Sequence, residues 1–114
     1  MKIEKTYPET LTNKQLYRLT MSPKIRKMKD AKGTVLEVSA FAAYTDTDKN
    51  GEVRDVLSLM TPEGETYATN SRTFMADFFC MVDMFGADGL TAIEVISGTS
   101  KAGREFITCA YAGE

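Results

Sequence analysis

Apolar and polar positions alternate most clearly near the end of the chain. Ile93 and Val95 flank Glu94, the period of two that marks a half-buried strand. Gly98 ends that run, and Phe106-Ile107-Thr108-Cys109-Ala110-Tyr111 returns after Thr99-Ser100-Lys101-Ala102-Gly103. The turn carries Lys101 and Arg104, with no acid between Glu94 and Glu105. Earlier in the chain the period differs. Residues 1–11 read as a mobile arm. Thr12 is an N-cap for a short helix over 13–20, with Leu16 and Leu19 on one side. Ser22-Pro23 opens a second short helix that Gly33 ends. Ile25 and Met28 share a face of it, and Lys24, Arg26, Lys27 and Lys29 fill much of the rest. At eight or nine residues it is marginal alone and needs a docking surface, where its cations would form a rim.

From Thr34 the period of two returns. Leu36, Val38, Ala40 and Ala42 alternate with Glu37 and Ser39, which predicts a long strand to about Thr45, bending where its residues are small. Asp46 to Gly51 is a hairpin turn ending in Asn-Gly. Val53 to Met60 is the return strand, Thr61-Pro62-Glu63-Gly64 a second turn, and Glu65 to Thr69 a short third strand. Asn70 or Ser71 caps the one long helix, where Phe74, Phe78, Val82 and Phe85 form a wide apolar stripe and Gly86 supplies the stop. The order is two short helices and then β-β-β-α-β-β. Five strands with a helix between the third and fourth predict a mainly β protein, a five-stranded OB-fold barrel plugged by the helix. A two-layer α+β sheet is the alternative. The division is a basic arm with short helices over 1–33 and the barrel over 34–114, in one domain overall.

Charge sharpens this picture. The chain of 114 residues has net charge −2. Residues 1–33 hold nine Lys/Arg against three acids, net +6; the remainder holds five against thirteen, net −8. Such asymmetry suits a basic surface facing a polyanion, or an acidic body that resists non-specific contact. Cys80 and Cys109 lie in apolar runs, which predicts two buried thiols in a reducing cytoplasm. No apolar run approaches the twenty residues of a membrane span, and none follows Met1-Lys2-Ile3-Glu4-Lys5 as in a signal peptide.

Three kinds of chemistry are excluded. Asp46, Asp48, Asn50 and Gly51 match the first half of an EF-hand loop, but the twelfth position is Leu57 where a bidentate Glu is required. There is no histidine, so no His-based triad, and two distant cysteines make no zinc site. Neither a cofactor nor catalysis is expected. A binding surface remains. OB-folds take oligonucleotides or oligosaccharides across strands 2–3, between the loops joining strands 1–2 and 4–5. Single strands are held by aromatic stacking in a cationic groove. The candidates are Tyr44 on the first strand, Arg54 on the second, Tyr67 on the third, and Lys101, Arg104 and Phe106 on the last hairpin. Phe74, Phe78 and Phe85 are assigned to the core. Phe41, out of phase with its neighbours, faces outward or marks a bulge.

Four stretches carry a family likeness: Leu11-Thr12-Asn13-Lys14-Gln15-Leu16-Tyr17; Tyr44 to Gly51; Ala68-Thr69-Asn70-Ser71 leading into Thr73-Phe74; and Ile96-Ser97-Gly98-Thr99-Ser100-Lys101-Ala102-Gly103-Arg104-Glu105. In these the chain resembles the small OB-fold single-stranded DNA-binding proteins of phages and conjugative or mobile elements. The resemblance implies non-sequence-specific binding of single strands in replication or transfer of such an element, in the cytoplasm and without a membrane. A protein-interaction adaptor and an RNA-binding module are the alternatives. The basic N-terminus is expected to serve homo-oligomeric or cooperative association along the strand.

Overall fold

A computed structural model describes residues 1–113, and in it the long first strand is broken in two. The chain runs β1 (Lys2–Tyr7), α1 (Asn13–Thr20), β2 (Arg26–Lys27), a single 3-10 turn (Met28–Ala31), β3 (Val35–Glu37), β4 (Ala40–Thr47), β5 (Val53–Met60), β6 (Thr66–Thr69), α2 (Arg72–Phe85), β7 (Ala92–Thr99) and β8 (Glu105–Tyr111). Two sheets result, β1-β4-β5-β6-β2 and β3-β7-β8. The transfer between them happens within two residues. The Val38 amide donates to the Thr91 carbonyl at 2.9 Å, beside β7, while the Ser39 amide donates to Met60 O at 2.8 Å, at the end of β5. The Ser39 hydroxyl adds a second bond to the same oxygen at 3.0 Å. One bent strand thus feeds both sheets, as expected of the barrel. The barrel itself does not close, because no ladder joins β6 to β8 among the described residues.

Local chemistry sets the helices. Thr12 Oγ1 accepts from the Gln15 amide at 3.1 Å and Gln15 Oε1 accepts from the Thr12 amide at 2.9 Å, a reciprocal cap. Ser71, rather than Asn70, caps α2 by accepting from the Phe74 amide at 3.2 Å. Gly86, at φ +80°, ends α2 in a backbone conformation that other residues rarely adopt. Phe74, Phe78 and Val82 pack against Leu57, Leu59, Ile93, Val95 and Ile107 between the sheets. Phe41 faces inward, its ring edge-on to Phe78 at 5.1 Å. On the other face of β4, Ala40 and Ala42 are small enough to let α1 bring Leu19 against Tyr44 and Met60.

Several expectations are corrected. Residues 2–7 are not a mobile arm; they pair with β4 as an edge strand from Lys2↔Thr45 to Tyr7↔Phe41. An edge strand is mostly solvated, so its alternation is faint in sequence, but Tyr7 stacks on Phe41 at 5.9 Å and Lys5 lies over the Phe79 ring at 5.5 Å. The second helix does not form. Ser22 Oγ accepts from the Lys24 amide in a tight turn, and Arg26 and Lys27 extend to pair with β6 in parallel. Strand pairing and burial of Met28 and Ala31 outweigh the weak propensity of a nine-residue helix. Phe85 leaves the core stripe: it is 40% exposed and stacks on Tyr111 at 4.3 Å. Cys80 is exposed; only Cys109 is buried, where burial first, and Asp77 second, push its thiol up to about 12. No helix among the described residues is long and apolar enough to cross a membrane.

Deleting residues 1–7 is expected to lower the free energy of unfolding by more than about 1 kcal/mol, the scale of the lost Tyr7–Phe41 pair alone. A urea titration checks this; an unchanged midpoint would mean that the strand adds nothing.

Candidate nucleic-acid interface

Where the barrel stays open, a groove of about 1080 Å³ runs between β6 and β8. Residues 68–71 and 105–107 line it, joined by Lys27, Lys29 and Lys32 from the β2 region and by Arg54 and Val56 from β5. The local fold aims the lysines. Pairing of Lys27 with Ala68 sets β2 along the β6 edge. The 3-10 turn then buries Met28 and Ala31, which leaves Lys27, Lys29 and Lys32 exposed. Thr69, Asn70 and Ser71 add polar groups, and the Ser71 hydroxyl donates to Ile107 O at 3.4 Å, tying the start of α2 to β8.

Carboxylates hold part of this charge. Lys32 pairs with Glu105 at 3.1 Å, linking the two sides of the groove. Arg54 pairs with Asp48 at 3.3 Å, and Arg26, next to Lys27, pairs with Glu65 at 2.8 Å. These are the ion pairs among the described residues, so each engages a cation in or beside the groove. All lie at the surface, with Asp48 alone half-buried, and are therefore weak, of order 0–1 kcal/mol, and a phosphate can replace the carboxylate. Lys27 and Lys29 have no ion-pair partner among the described residues. Asp48 also organises the β4–β5 turn. The Glu52 amide most strongly, then the Asn50 amide and the Arg54 guanidinium, hold its carboxyl below the ordinary value of 3.8. Its Oδ1 accepts from Asn50 and Glu52 at 2.8 and 3.0 Å. The carboxylate of the EF-hand-like segment is thus engaged by its own turn, and no group of three or more acids or cysteines is placed for a metal among the described residues.

The six residues singled out from the sequence separate into four places. Arg54 and Phe106 line the groove. Tyr67 lies beside it on β6, packed partly on the core, with the Arg26 guanidinium 5.9 Å from its ring and its hydroxyl accepting from Arg26 at 3.4 Å. Lys101 and Arg104 stand exposed on the β7–β8 turn, beyond the groove lining, with no ion-pair partner among the described residues. That turn is held by the Ser100 amide to Arg104 O at 2.8 Å and by Ser100 Oγ, which accepts from the Arg104 amide at 3.2 Å. Tyr44 is 6% exposed beneath α1, and burial raises its phenol above the ordinary value. What remains open of it borders a smaller hollow of about 330 Å³ with Arg72, Met75 and Phe79. Sequence reading assigned Lys27 and Lys29 to a helix rim, counted Lys32 only within the basic charge of residues 1–33, and took Thr69, Asn70 and Ser71 only as a strand end, a helix cap and part of the family likeness. The available signal was the density of cations at 24, 26, 27, 29 and 32.

Residues 15–111, from α1 to the end of β8, match the family model described as phage single-stranded DNA-binding protein, of the phi29 phage type. No curated protein and no solved structure matches the chain.

Because the folded Asp48 carboxyl lies below its ordinary value, its contribution is complete above 3.8 and is lost as pH falls through the lower, folded value. Amide NMR is expected to show the Asn50 and Glu52 signals titrating together with a midpoint below 3.8, and Asp48→Asn is expected to abolish that titration.

Proposed function

The chain belongs to the phage single-stranded DNA-binding protein family, and from this we propose that it coats single strands without sequence preference during phage DNA replication, with the β6–β8 groove as the strand's seat. The supporting observation is the excess of cations in one groove, Lys27, Lys29, Lys32 and Arg54 against Asp30 and Glu105, in a protein whose net charge is −2. Phosphates are the same on every nucleotide, so cations that follow the backbone bind any sequence. Aromatic faces are equally tolerant, because every base has a flat face. In this reading Lys27 and Lys29 contact phosphate directly. Lys32 and Arg54 exchange Glu105 and Asp48 for phosphate. Lys101 and Arg104 continue the cationic track past the end of β8, and Phe106 stacks on a base. Tyr67 is the second stacking candidate; its partial burial and the Arg26 guanidinium beside it leave less of its ring open.

A fluorescence titration with labelled dT oligomers at low salt tests the reading, with mixed-sequence DNA and RNA oligomers of equal length as competitors. Replacing Lys27 and Lys29 by Ala is expected to reduce the slope of log affinity against log salt by about 1.4, at ~0.7 per phosphate contact on single strands. Replacing Lys101 and Arg104 by Ala gives the same reduction if both touch phosphate. Glu105→Gln releases Lys32 and is expected to tighten binding and steepen the slope. Surface changes of this kind move stability by less than about 0.5 kcal/mol, so all the variants are expected to melt like the parent. No binding at tens of micromolar protein, or slopes unchanged in both lysine and arginine variants, would place the strand elsewhere.

A further inference from the structure

We propose that Gly98 is a positioning residue for single-strand binding: it lets the Phe106 ring lie across the β7–β8 ladder and so builds a base-stacking subsite on the outer face of the β3-β7-β8 sheet. The proposal rests on the single-strand reading above and adds a residue and a face to it.

The register sets Gly98 opposite Phe106. Along β7, Ile93 and Val95 point into the core while Glu94 and Ile96 are exposed, and Gly98 falls in phase with the exposed set. Along β8, Ile107 and Cys109 are buried, which puts Phe106 on that same outer face. The far end of the ring then reaches across to its neighbour. A Cβ at Gly98 would sit 2.7 Å from Phe106 Cζ and 3.1 and 3.2 Å from Cε2 and Cε1, too close for any side chain with the ring in place. Backbone geometry is not the reason for the glycine, because Gly98 is not among the positive-φ glycines. A glycine inside a strand weakens it and marks a close approach, and the approaching group here is the ring.

This arrangement matters because Phe106 is 38% exposed. An exposed aromatic ring on a strand ordinarily samples several rotamers and must be ordered when it binds. Seated over Gly98, the ring is ordered beforehand on one side and keeps another side open for a base. Around it the outer face suits a nucleobase: Ile96, 39% exposed, lies two residues along β7, and Val35 is exposed on β3. Lys101 and Arg104 sit on the adjoining turn, where phosphates flanking the base would pass.

Titrations with a dT oligomer at fixed salt, on the parent, Gly98→Ala, Phe106→Ala and the double variant, test this. Phe106→Ala is expected to weaken binding by roughly tenfold or more, within the stacking range. Gly98→Ala is expected to weaken it by roughly fivefold with no change in salt slope, and to add nothing in the Phe106→Ala background. Equal losses in both backgrounds, or no loss in either, would overturn the role of Gly98 while leaving the strand-binding reading intact. A Phe106→Ala variant that binds like the parent would overturn the subsite, and a parent that binds no DNA would overturn the strand-binding reading itself. A second measurement needs no glycine variant. In the unaltered protein the Gly98 Hα signals are expected to be shifted upfield by the ring, relative to Phe106→Ala, and to keep that shift when dT is saturating. Loss of the shift on binding would mean that the ring leaves the glycine, and the proposal would fail.

Discussion

A strand edge takes one partner, and in this protein the outer edge of β6 is taken by β2. Arg26 and Lys27 pair there in parallel with Tyr67 and Ala68. In an OB-type strand order that edge would meet the last strand and close the barrel; β8 instead is held beside β6 by α2 and the Ser71–Ile107 bond. The opening between them is the groove. The segment that blocks closure is also the segment that brings Lys27, Lys29 and Lys32 to it. Architecture and charge are therefore set by one pairing, two residues long, between segments distant in the chain.

The electrostatics follow from how exposed those charges are. A polyanion site in an acidic protein needs cations concentrated locally, because the total charge repels phosphate. Residues in and beside the groove supply five cations, and three of them rest on carboxylates. Pairs of this kind add little to stability in water. They mask part of the positive charge of the groove, so that in the proposed mode of binding one anionic partner is exchanged for another. The β7–β8 ladder differs: there a glycine makes room for an exposed ring, a close approach set by packing rather than charge.

Much of the domain was legible in the residues themselves. Patterns set by neighbours in sequence reported it well: the Thr12 and Ser71 caps, the Asn-Gly hairpin, the Gly86 stop, the Phe74–Phe78–Val82 stripe and the alternation of β7 are all local chemistry. Six of the eight strands, β3 to β8, and the long helix among them followed from these patterns, with β3 and β4 read as one strand, and the four family-like stretches directed attention to single-stranded DNA. Arg54 and Phe106, which both line the groove, were singled out because a cation and an aromatic on strands near a turn suit that chemistry.

What only the tertiary structure decided depends on partners far away in the chain. Residues 2–7 become a strand because β4 offers an edge, and 22–33 give up a helix because β6 offers another. Neither edge is visible in the residues that use it. Tyr44 and Tyr67 are alike in sequence, each a tyrosine on a strand; α1 covers one and leaves the other beside the groove. Lys32 meets Glu105 across 73 positions. The reason is common to all of these. Composition and periodicity determine what a segment is able to bury or pair, while the identity of the surface that it meets is a long-range choice made when the whole core assembles.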